Sequence, residues 1–105
     1  MRPRHITRRW KNPNVIVCFY KRSFLRDLAK LPKHHRERIE RLAFEDVPKL
    51  NNVFSTLDIK RIKGYQGYYR IRVGDYRIGC KVGKKSEITF YRVKSRADIY
   101  RVFPR

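Results

Sequence analysis

Residues 68–82 alternate between apolar and basic or small side chains on both sides of the dipeptide Gly74-Asp75. This alternation is typical of strands with one buried face, and a two-residue turn that starts with glycine joins antiparallel neighbours. The pattern therefore predicts a β-hairpin across this stretch. Its register pairs Val73 with Tyr76, Arg72 with Arg77, Ile71 with Ile78, Arg70 with Gly79 and Tyr68 with Lys81.

The two faces of this hairpin carry different side chains. One face is predicted to enter the core and consists of Tyr69, Ile71, Val73, Tyr76, Ile78, Cys80 and Val82. The other face gathers the cations and sets Arg72 directly opposite Arg77, although like charges in facing positions destabilise a sheet. We therefore expect this face to bind a polyanion. Gly79 predicts an open spot on it, where a nucleotide would lie close to the sheet.

The charge balance of the whole chain favours the same kind of partner. Its 28 Lys and Arg residues outnumber 9 Asp and Glu, which gives a formal net charge of +19. Self-repulsion of that size is usually tolerated because a polyanion or an acidic protein neutralises it. Nucleic acid is the leading candidate. An anionic membrane is the alternative, but the chain has neither a long apolar run nor a basic amphipathic helix with a clean apolar stripe.

The length of 105 residues predicts one domain. Residues 1–14 are basic and lack helical or strand periodicity, so we expect a flexible arm before a domain at 15–105. Cys18 and Cys80 lie in apolar strand patterns without metal-ligand spacing, which predicts two buried thiols and no metal site. A reducing compartment and the lack of an apolar leader segment predict a cytoplasmic protein.

The order of elements predicts an α+β fold. An N-terminal strand at 15–20 precedes a helix capped by Ser23, and a second helix begins at Pro32 and ends or frays at Pro48. Further along the chain we expect a polar connector at 51–56, an irregular strand or loop at 57–63, the hairpin, a last strand at 87–93 and a short helix at 97–102. The helical hairpin would then pack on one face of a mainly antiparallel, twisted sheet.

Two segments of the chain resemble the RelE/ParE superfamily of toxins from bacterial and archaeal toxin–antitoxin pairs. The first is Tyr-Arg-Ile-Arg-Val-Gly-Asp-Tyr-Arg-Ile at 69–78, and the second is the Arg-x-x-Ile-Tyr ending at 96–100. They occur together at the separation found in the family, downstream of a helical hairpin that starts at Phe24. The resemblance covers about residues 15–105.

This resemblance implies a RelE-like fold and a small acidic antitoxin as partner. The RelE branch cleaves mRNA in the ribosomal A site, next to 16S rRNA, without a metal or other cofactor, whereas the ParE branch inhibits DNA gyrase. Because one fold serves both branches, fold alone does not choose between them. The basic strand face favours a ribosome-dependent mRNA endoribonuclease that works by 2′-OH attack. A gyrase inhibitor and a non-catalytic RNA-binding protein are the alternatives.

The resemblance also implies the residues of the site. Matched by position, the catalytic group is Arg70, Arg72, Arg77, Lys94, Arg96 and Tyr100. We expect Lys60, Lys63, Tyr68 and Lys81 to contact the substrate from the adjoining surface. Arg70 and Arg72 replace lysines of the best-known RelE pattern; arginine clamps phosphate well but is a poor base. The base would then be Lys94, Lys60 or Lys63, or be supplied by the ribosome, since His5, His34 and His35 are predicted to lie away from this face.

Overall fold

A computed structural model describes residues 16–84 and 86–104 of the chain. Its strands are β1 (Val17–Tyr20), β2 (Ile59–Arg61), β3 (Tyr68–Val73), β4 (Tyr76–Gly83) and β5 (Glu87–Ser95). Its α-helices are α1 (Arg22–Ala29), α2 (Lys33–Glu40), α3 (Val53–Thr56) and α4 (Ile99–Val102). The predicted arm at 1–14 lies outside the described residues.

The strands form one sheet in the order β1-β5-β4-β3-β2, in which only β1 and β5 are parallel. The predicted hairpin register is confirmed at every pair, from Val73–Tyr76 at the turn to Tyr68–Lys81. Gly74 has φ of +60°, the left-handed region that a turn of this kind requires and that glycine adopts without strain. The predicted α+β class is therefore confirmed.

The helices cover one face of the sheet and form the core with it. Helices α1 and α2 and the turns that continue α2 contribute Phe24, Leu28, Ile39, Ala43 and Val47, while the sheet contributes Ile71, Ile78, Ile88, Phe90 and Val93. All of these side chains are buried. The hairpin face predicted to be apolar therefore belongs to the core, and the cations lie on the opposite face.

Helix α1 closes the edge of β5 that β1 leaves uncovered. Beyond Phe90 this edge meets two side chains of α1: Ser23 Oγ donates to Tyr91 O at 2.7 Å, and Val93 N–H donates to Asp27 Oδ2 at 3.2 Å. Ser23 is thus the second residue of the helix and not its predicted N-cap. Its hydroxyl donates to the Tyr91 carbonyl at the sheet edge and does not cap the helix. The first helix is held against the last strand by these hydrogen bonds.

The second helix changes its geometry before Pro48. Helix α2 continues as a π-helical turn over Arg41–Asp46, in which Val47 N–H donates to Leu42 O, and then as a 3-10 turn over Val47–Lys49. Proline has no N–H to donate, and its ring clashes with the carbonyl four residues earlier in a regular helix. The wider turn makes room for the ring, and the helical segment ends at Lys49, one residue after the predicted end at Pro48.

One short stretch differs from the sequence prediction, and a second resolves an alternative that the sequence left open. Residues predicted as a polar connector contain α3, whose N-cap Asn52 accepts a hydrogen bond from Phe54 N–H at 2.8 Å. The weakly alternating stretch after it, predicted as an irregular strand or a loop, forms the edge strand β2. Asn52 is a favoured N-cap residue, so this signal was present in the sequence.

Candidate nucleic-acid interface

Three cations form a row across three neighbouring strands, next to the hairpin turn. Arg72 of β3 pairs with Arg77 of β4, and Arg77 pairs with Lys94 of β5. Directly paired residues project from the same face of a sheet, so these side chains share the face opposite the core. We call this set the cation row. The strand order brings Lys94 to the two hairpin arginines, as the family resemblance implies.

A second row lies one step further from the turn. It runs Lys60, Arg70, Gly79 and Arg92 across β2 to β5. The sequence prediction missed Arg92 because β5 contains a β-bulge. Gly79 pairs with Arg92 and Cys80 pairs with Phe90, so Tyr91 between them has no partner on β4. Simple alternation assigns no consistent face to a strand with such a bulge. The structure thus adds a basic residue to this face.

The open spot predicted at Gly79 does not exist. The Phe103 ring lies against Gly79 so closely that a Cβ atom there would overlap it. Phe103 is 2% exposed and also packs against the Tyr68 and Tyr91 rings. The prediction was wrong because a side chain from the C-terminal segment fills the space: glycine admits a ring of the protein, not a nucleotide.

Asp58 neutralises part of the predicted phosphate clamp. Its carboxylate lies 3.4 Å from the Arg70 guanidinium and 3.8 Å from that of Arg72, and its carbonyl accepts the Arg72 N–H at 2.8 Å. The Asp58 side chain is 51% exposed, whereas that of Arg70 is 14% exposed. An incoming phosphate would therefore compete with an exposed carboxylate for these two arginines.

The guanidinium of Arg77 is fixed on the hairpin turn. Its Nη1 atom donates to Gly74 O at 2.9 Å and to Tyr76 O at 3.0 Å. Both bonds use the same nitrogen, and a guanidinium carries five N–H donors, so donors remain for a ligand. These bonds orient the group in advance, which lowers the entropic cost of binding a phosphate.

Lys94 and Arg92 both form ion pairs with the buried carboxylate of Asp27. Asp27 of α1 is 5% exposed, accepts from Arg92 Nε at 2.7 Å and Nη2 at 3.1 Å, and lies 3.4 Å from Lys94 Nζ. Desolvation by burial opposes ionisation, but hydrogen bonds from Arg92 and the Val93 N–H, together with the charges of Arg92 and Lys94, hold the pKa of Asp27 below its usual value. The same contact with Asp27 raises the pKa of Arg92.

The two remaining members of the predicted catalytic group lie beyond β5. Arg96 is exposed, and its N–H donates to Asp75 O at 2.9 Å, which ties the end of β5 to the hairpin turn. Tyr100 is 54% exposed on α4, which the buried Ile99 holds against the sheet. Arg96 therefore lies near the cation row, and the Tyr100 ring is accessible to a ligand.

The predicted substrate-contacting residues lie mainly at the other end of the sheet. Tyr68 packs with Tyr65, Tyr91 and Phe103, and Lys81 Nζ lies 5.3 Å above its ring centroid. Lys81 is four residues along β4 from Arg77, or about 13 Å. Lys60 joins the second row through its pairing with Arg70, and Lys63 is exposed in the loop after β2.

Other proton carriers on or near the sheet are limited. Burial and the neighbouring Tyr68 raise the pKa of Tyr91, which keeps its phenol neutral. The His34 and His35 rings contact each other at a tilt, and the His35 ring packs on Tyr76, whose side chain lies on the helical side of the sheet. Over residues 16–84 and 86–104, no group of three or more His, Cys, Asp or Glu side chains could hold a metal ion. No helix in that part of the chain is long and apolar enough to span a membrane.

Chemically, this face can bind phosphate groups. The two rows contribute six positive charges, against two carboxylates from Asp27 and Asp58; the cations are Lys60, Arg70, Arg72, Arg77, Arg92 and Lys94. Several arginines on one rigid sheet suit a phosphodiester, whose charge is spread over oxygens that accept hydrogen bonds.

The fold of this chain is that of toxins solved in RelB–RelE complexes. A chain in the RelB–RelE antitoxin–toxin complex from Methanococcus jannaschii superposes with a TM-score of 0.68 at 45% sequence identity, over 82% of this chain and 99% of the solved one. The archaeal RelE–RelB complex from Pyrococcus horikoshii contains a chain that matches with a TM-score of 0.56 at 26% identity, over 81% of this chain and 99% of that one.

The sequence comparisons identify the family. Residues 19–100 match the model of the ParE toxin of type II toxin–antitoxin systems. Toxin RelE3 of Methanocaldococcus jannaschii is 46% identical over 86 residues, which cover 81% of this chain and 96% of the relative. The protein therefore belongs to the RelE/ParE superfamily of toxins from type II toxin–antitoxin systems.

Proposed function

We propose that this toxin is an mRNA endoribonuclease that acts in the ribosomal A site, next to 16S rRNA, and requires no metal. The observation that carries the proposal is the cation row, in which Arg72, Arg77 and Lys94 project from three adjacent strands. A folding domain gains nothing from such a row, whereas a scissile phosphate is stabilised by it. The high identity to a relative named as a RelE toxin supports the same branch.

In the proposed reaction the 2′ oxygen of one nucleotide attacks the adjacent phosphorus, and the bond from phosphorus to the 5′ oxygen breaks. The products are a 2′,3′-cyclic phosphate and a 5′-hydroxyl. Arg72 and Arg77 bind the phosphate oxygens and stabilise the charge that builds up on the phosphorane. Arg70 joins them once the phosphate displaces Asp58.

Two protons move in this reaction: one leaves the 2′-hydroxyl and one reaches the departing 5′ oxygen. Lys94 suits the second role, because its ion pair with Asp27 uses the ammonium form, which has a proton to donate and no lone pair to accept one. Arginine cannot act as the base at neutral pH. The base is then Lys60, Lys63 or a group of the ribosome, and a ribosomal base would make cleavage of free RNA slow.

The other predicted residues would hold the message. Arg96 and Tyr100 close the site from the C-terminal end, where the exposed Tyr100 ring can stack on an unpaired base. Tyr68 and Lys81 contact the strand further along the sheet, with Lys60 and Lys63 on the adjoining edge. In this proposal, the reaction takes place at the end of the face next to the hairpin turn, and the other end binds the RNA strand.

We also propose that a small acidic antitoxin neutralises the protein. The solved relatives from Methanococcus jannaschii and Pyrococcus horikoshii are toxins in complex with RelB antitoxins. The net charge of +19 suits an acidic partner. Co-purification of a small acidic protein from a host that expresses both genes would test this separately from catalysis.

Two alternatives have support of their own. The family model that matches residues 19–100 is that of the ParE toxin, and this match favours a gyrase inhibitor. The lack of a histidine on the basic face, among the residues that the structure describes, favours a protein that binds RNA without cutting it.

One experiment separates the three functions. Purified protein is added to a reconstituted translation system for mapping of mRNA 5′ ends, and to a gyrase supercoiling reaction. We expect codon-phased cuts that disappear in Arg77→Ala and persist in Arg26→Ala, a charge-matched control on the exposed face of α1. Intact message with blocked supercoiling would establish the gyrase alternative, and no effect in either reaction would leave RNA binding alone.

A further inference from the structure

A cleft of about 260 Å³ opens at the edge of the sheet, between β3 and the helix α2 with its π-helical continuation. β2 pairs with β3 only between Ile59–Ile71 and Arg61–Tyr69, so β2 does not cover the part of β3 nearer the turn. Arg72 lines the cleft and also belongs to the cation row. The basic face therefore continues around the sheet edge into this cleft.

The walls of the cleft carry both signs of charge. Arg38 and Arg41 are exposed and form no ion pair with any residue that the structure describes. The Arg38 guanidinium extends to the hairpin turn, 3.1 Å from the point where a Cβ of Gly74 would lie. Asp46 and Asp58 supply carboxylates, and the apolar side chains between the charged walls include Leu42 and Leu57.

We propose that this cleft binds one unstacked nucleotide of a single-stranded RNA and distinguishes its base. The base lies on Leu42 and Leu57, its flanking phosphates bind Arg38 and Arg41, and Asp46 accepts a hydrogen bond from an amino group of the base. This inference rests on the proposed function and adds to it a contact that selects sequence next to the scissile phosphate.

The mixture of charges favours a nucleotide over an acidic peptide. The side chains of a peptide rich in carboxylates would bind the arginines but would offer no hydrogen-bond donor to Asp46 or Asp58. A nucleotide offers phosphate oxygens to the arginines and, when its base is cytosine, an amino donor to a carboxylate. Uracil presents a carbonyl oxygen at that position, which a carboxylate repels. The cleft should therefore prefer cytosine to uracil.

The test is fluorescence anisotropy at neutral pH with labelled oligocytidine and oligouridine of about ten nucleotides. Arg38→Gln/Arg41→Gln is compared with Arg22→Gln/Arg26→Gln, which removes the same charge from exposed positions of α1 outside the cleft. We expect the first pair to weaken binding about tenfold, or about 1.4 kcal/mol, and the second much less. Because Arg38→Gln/Arg41→Gln removes two phosphate contacts, it should also lower the slope of log affinity against log salt by about 1.4, or about 0.7 for each contact.

Asp46→Asn tests the recognition of the base. The wild-type protein should bind oligocytidine at least about fivefold more tightly than oligouridine, and the variant should lose that preference. Equal affinity of the wild type for both oligonucleotides, equal losses of affinity in the two arginine double variants, or no RNA binding would overturn the proposal.

The outcome is separable from that of the proposed nuclease. If the cleft binds RNA as described but translation assays yield intact message, the cleft proposal is supported and the nuclease assignment is wrong. If Arg38→Gln/Arg41→Gln binds RNA like the wild type and cuts message at the same sites, the nuclease stands and the cleft proposal fails.

Discussion

Asp27 and Arg92 form a two-point ion pair between the first helix and the last strand, with hydrogen bonds of 2.7 and 3.1 Å. The carboxylate is almost fully buried and also receives the Val93 N–H and the Lys94 ammonium. One side chain thus holds α1 on the sheet edge and orients two cations of the basic face. The stability of the fold and the geometry of the candidate site are coupled at this residue.

Replacing Asp27 should therefore destabilise the protein. In Asp27→Asn the partly buried Arg92 and Lys94 lose their counter-charge, and breaking such a pair costs about 3 kcal/mol. Urea unfolding followed by circular dichroism measures the change in the free energy of unfolding. Asp98→Asn is the control, because its pair with Arg101 is exposed and should contribute less than about 1 kcal/mol. Equal stability of the two variants would mean that the buried pair contributes no more than a surface one.

The same carboxylate should make stability depend on acid pH. The folded protein holds the pKa of Asp27 below its unfolded value of about 3.9, so the unfolded state binds this proton more readily. The contribution is fully present above the unfolded pKa and is lost as pH falls through the folded one. Thermal unfolding of the wild type at pH values below about 5 should show a steeper loss of Tm than that of Asp27→Asn. Parallel curves would contradict this assignment.

The local parts of the fold were predictable from the sequence. The hairpin register follows from a two-residue turn and the alternation around it, both of which act between neighbours in the chain. Arg72, Arg77 and Lys94 were expected to converge through the family resemblance, and the pairing of β4 with β5 brings them together.

The missed features depend on contacts between distant residues. Asp27 lies 65 residues before Arg92, and an aspartate in an amphipathic helix carries no signal that it will be buried. Gly79 was interpreted as open space because no pattern links it to Phe103. Asp58 immediately precedes β2, and only the pairing of β2 with β3 brings it to the guanidinium groups of β3. Sequence periodicity identified the basic face but not Asp27 and Asp58, whose carboxylates form ion pairs with its cations.

The close packing of Phe103 on Gly79 predicts a coupled pair of substitutions. Gly79→Ala places a methyl group where the ring lies and should cost about 1–3 kcal/mol, as overpacking of a core does. Phe103→Ala removes the obstacle but also removes the buried ring. In the double variant, the added cost of Gly79→Ala should largely disappear, because the methyl group then enters the vacated space. Additive losses of stability in a denaturant-based double-mutant cycle would argue against a steric clash.

Asp58 offers the sharpest test of how the basic face binds its ligand. Its carboxylate lies within 3.4 Å of the Arg70 guanidinium and 3.8 Å of that of Arg72, so removing its charge frees two cations for phosphate. Asp58→Asn should therefore bind single-stranded RNA several-fold more tightly than the wild type, with a salt dependence that is steeper by about 0.7 log unit for each additional phosphate bound. Asp98→Asn changes the net charge equally at an exposed site on the C-terminal segment and serves as the control. If Asp58→Asn gains no more affinity than this control, the release of Arg70 and Arg72 from Asp58 does not strengthen phosphate binding, and the proposed displacement of Asp58 is wrong.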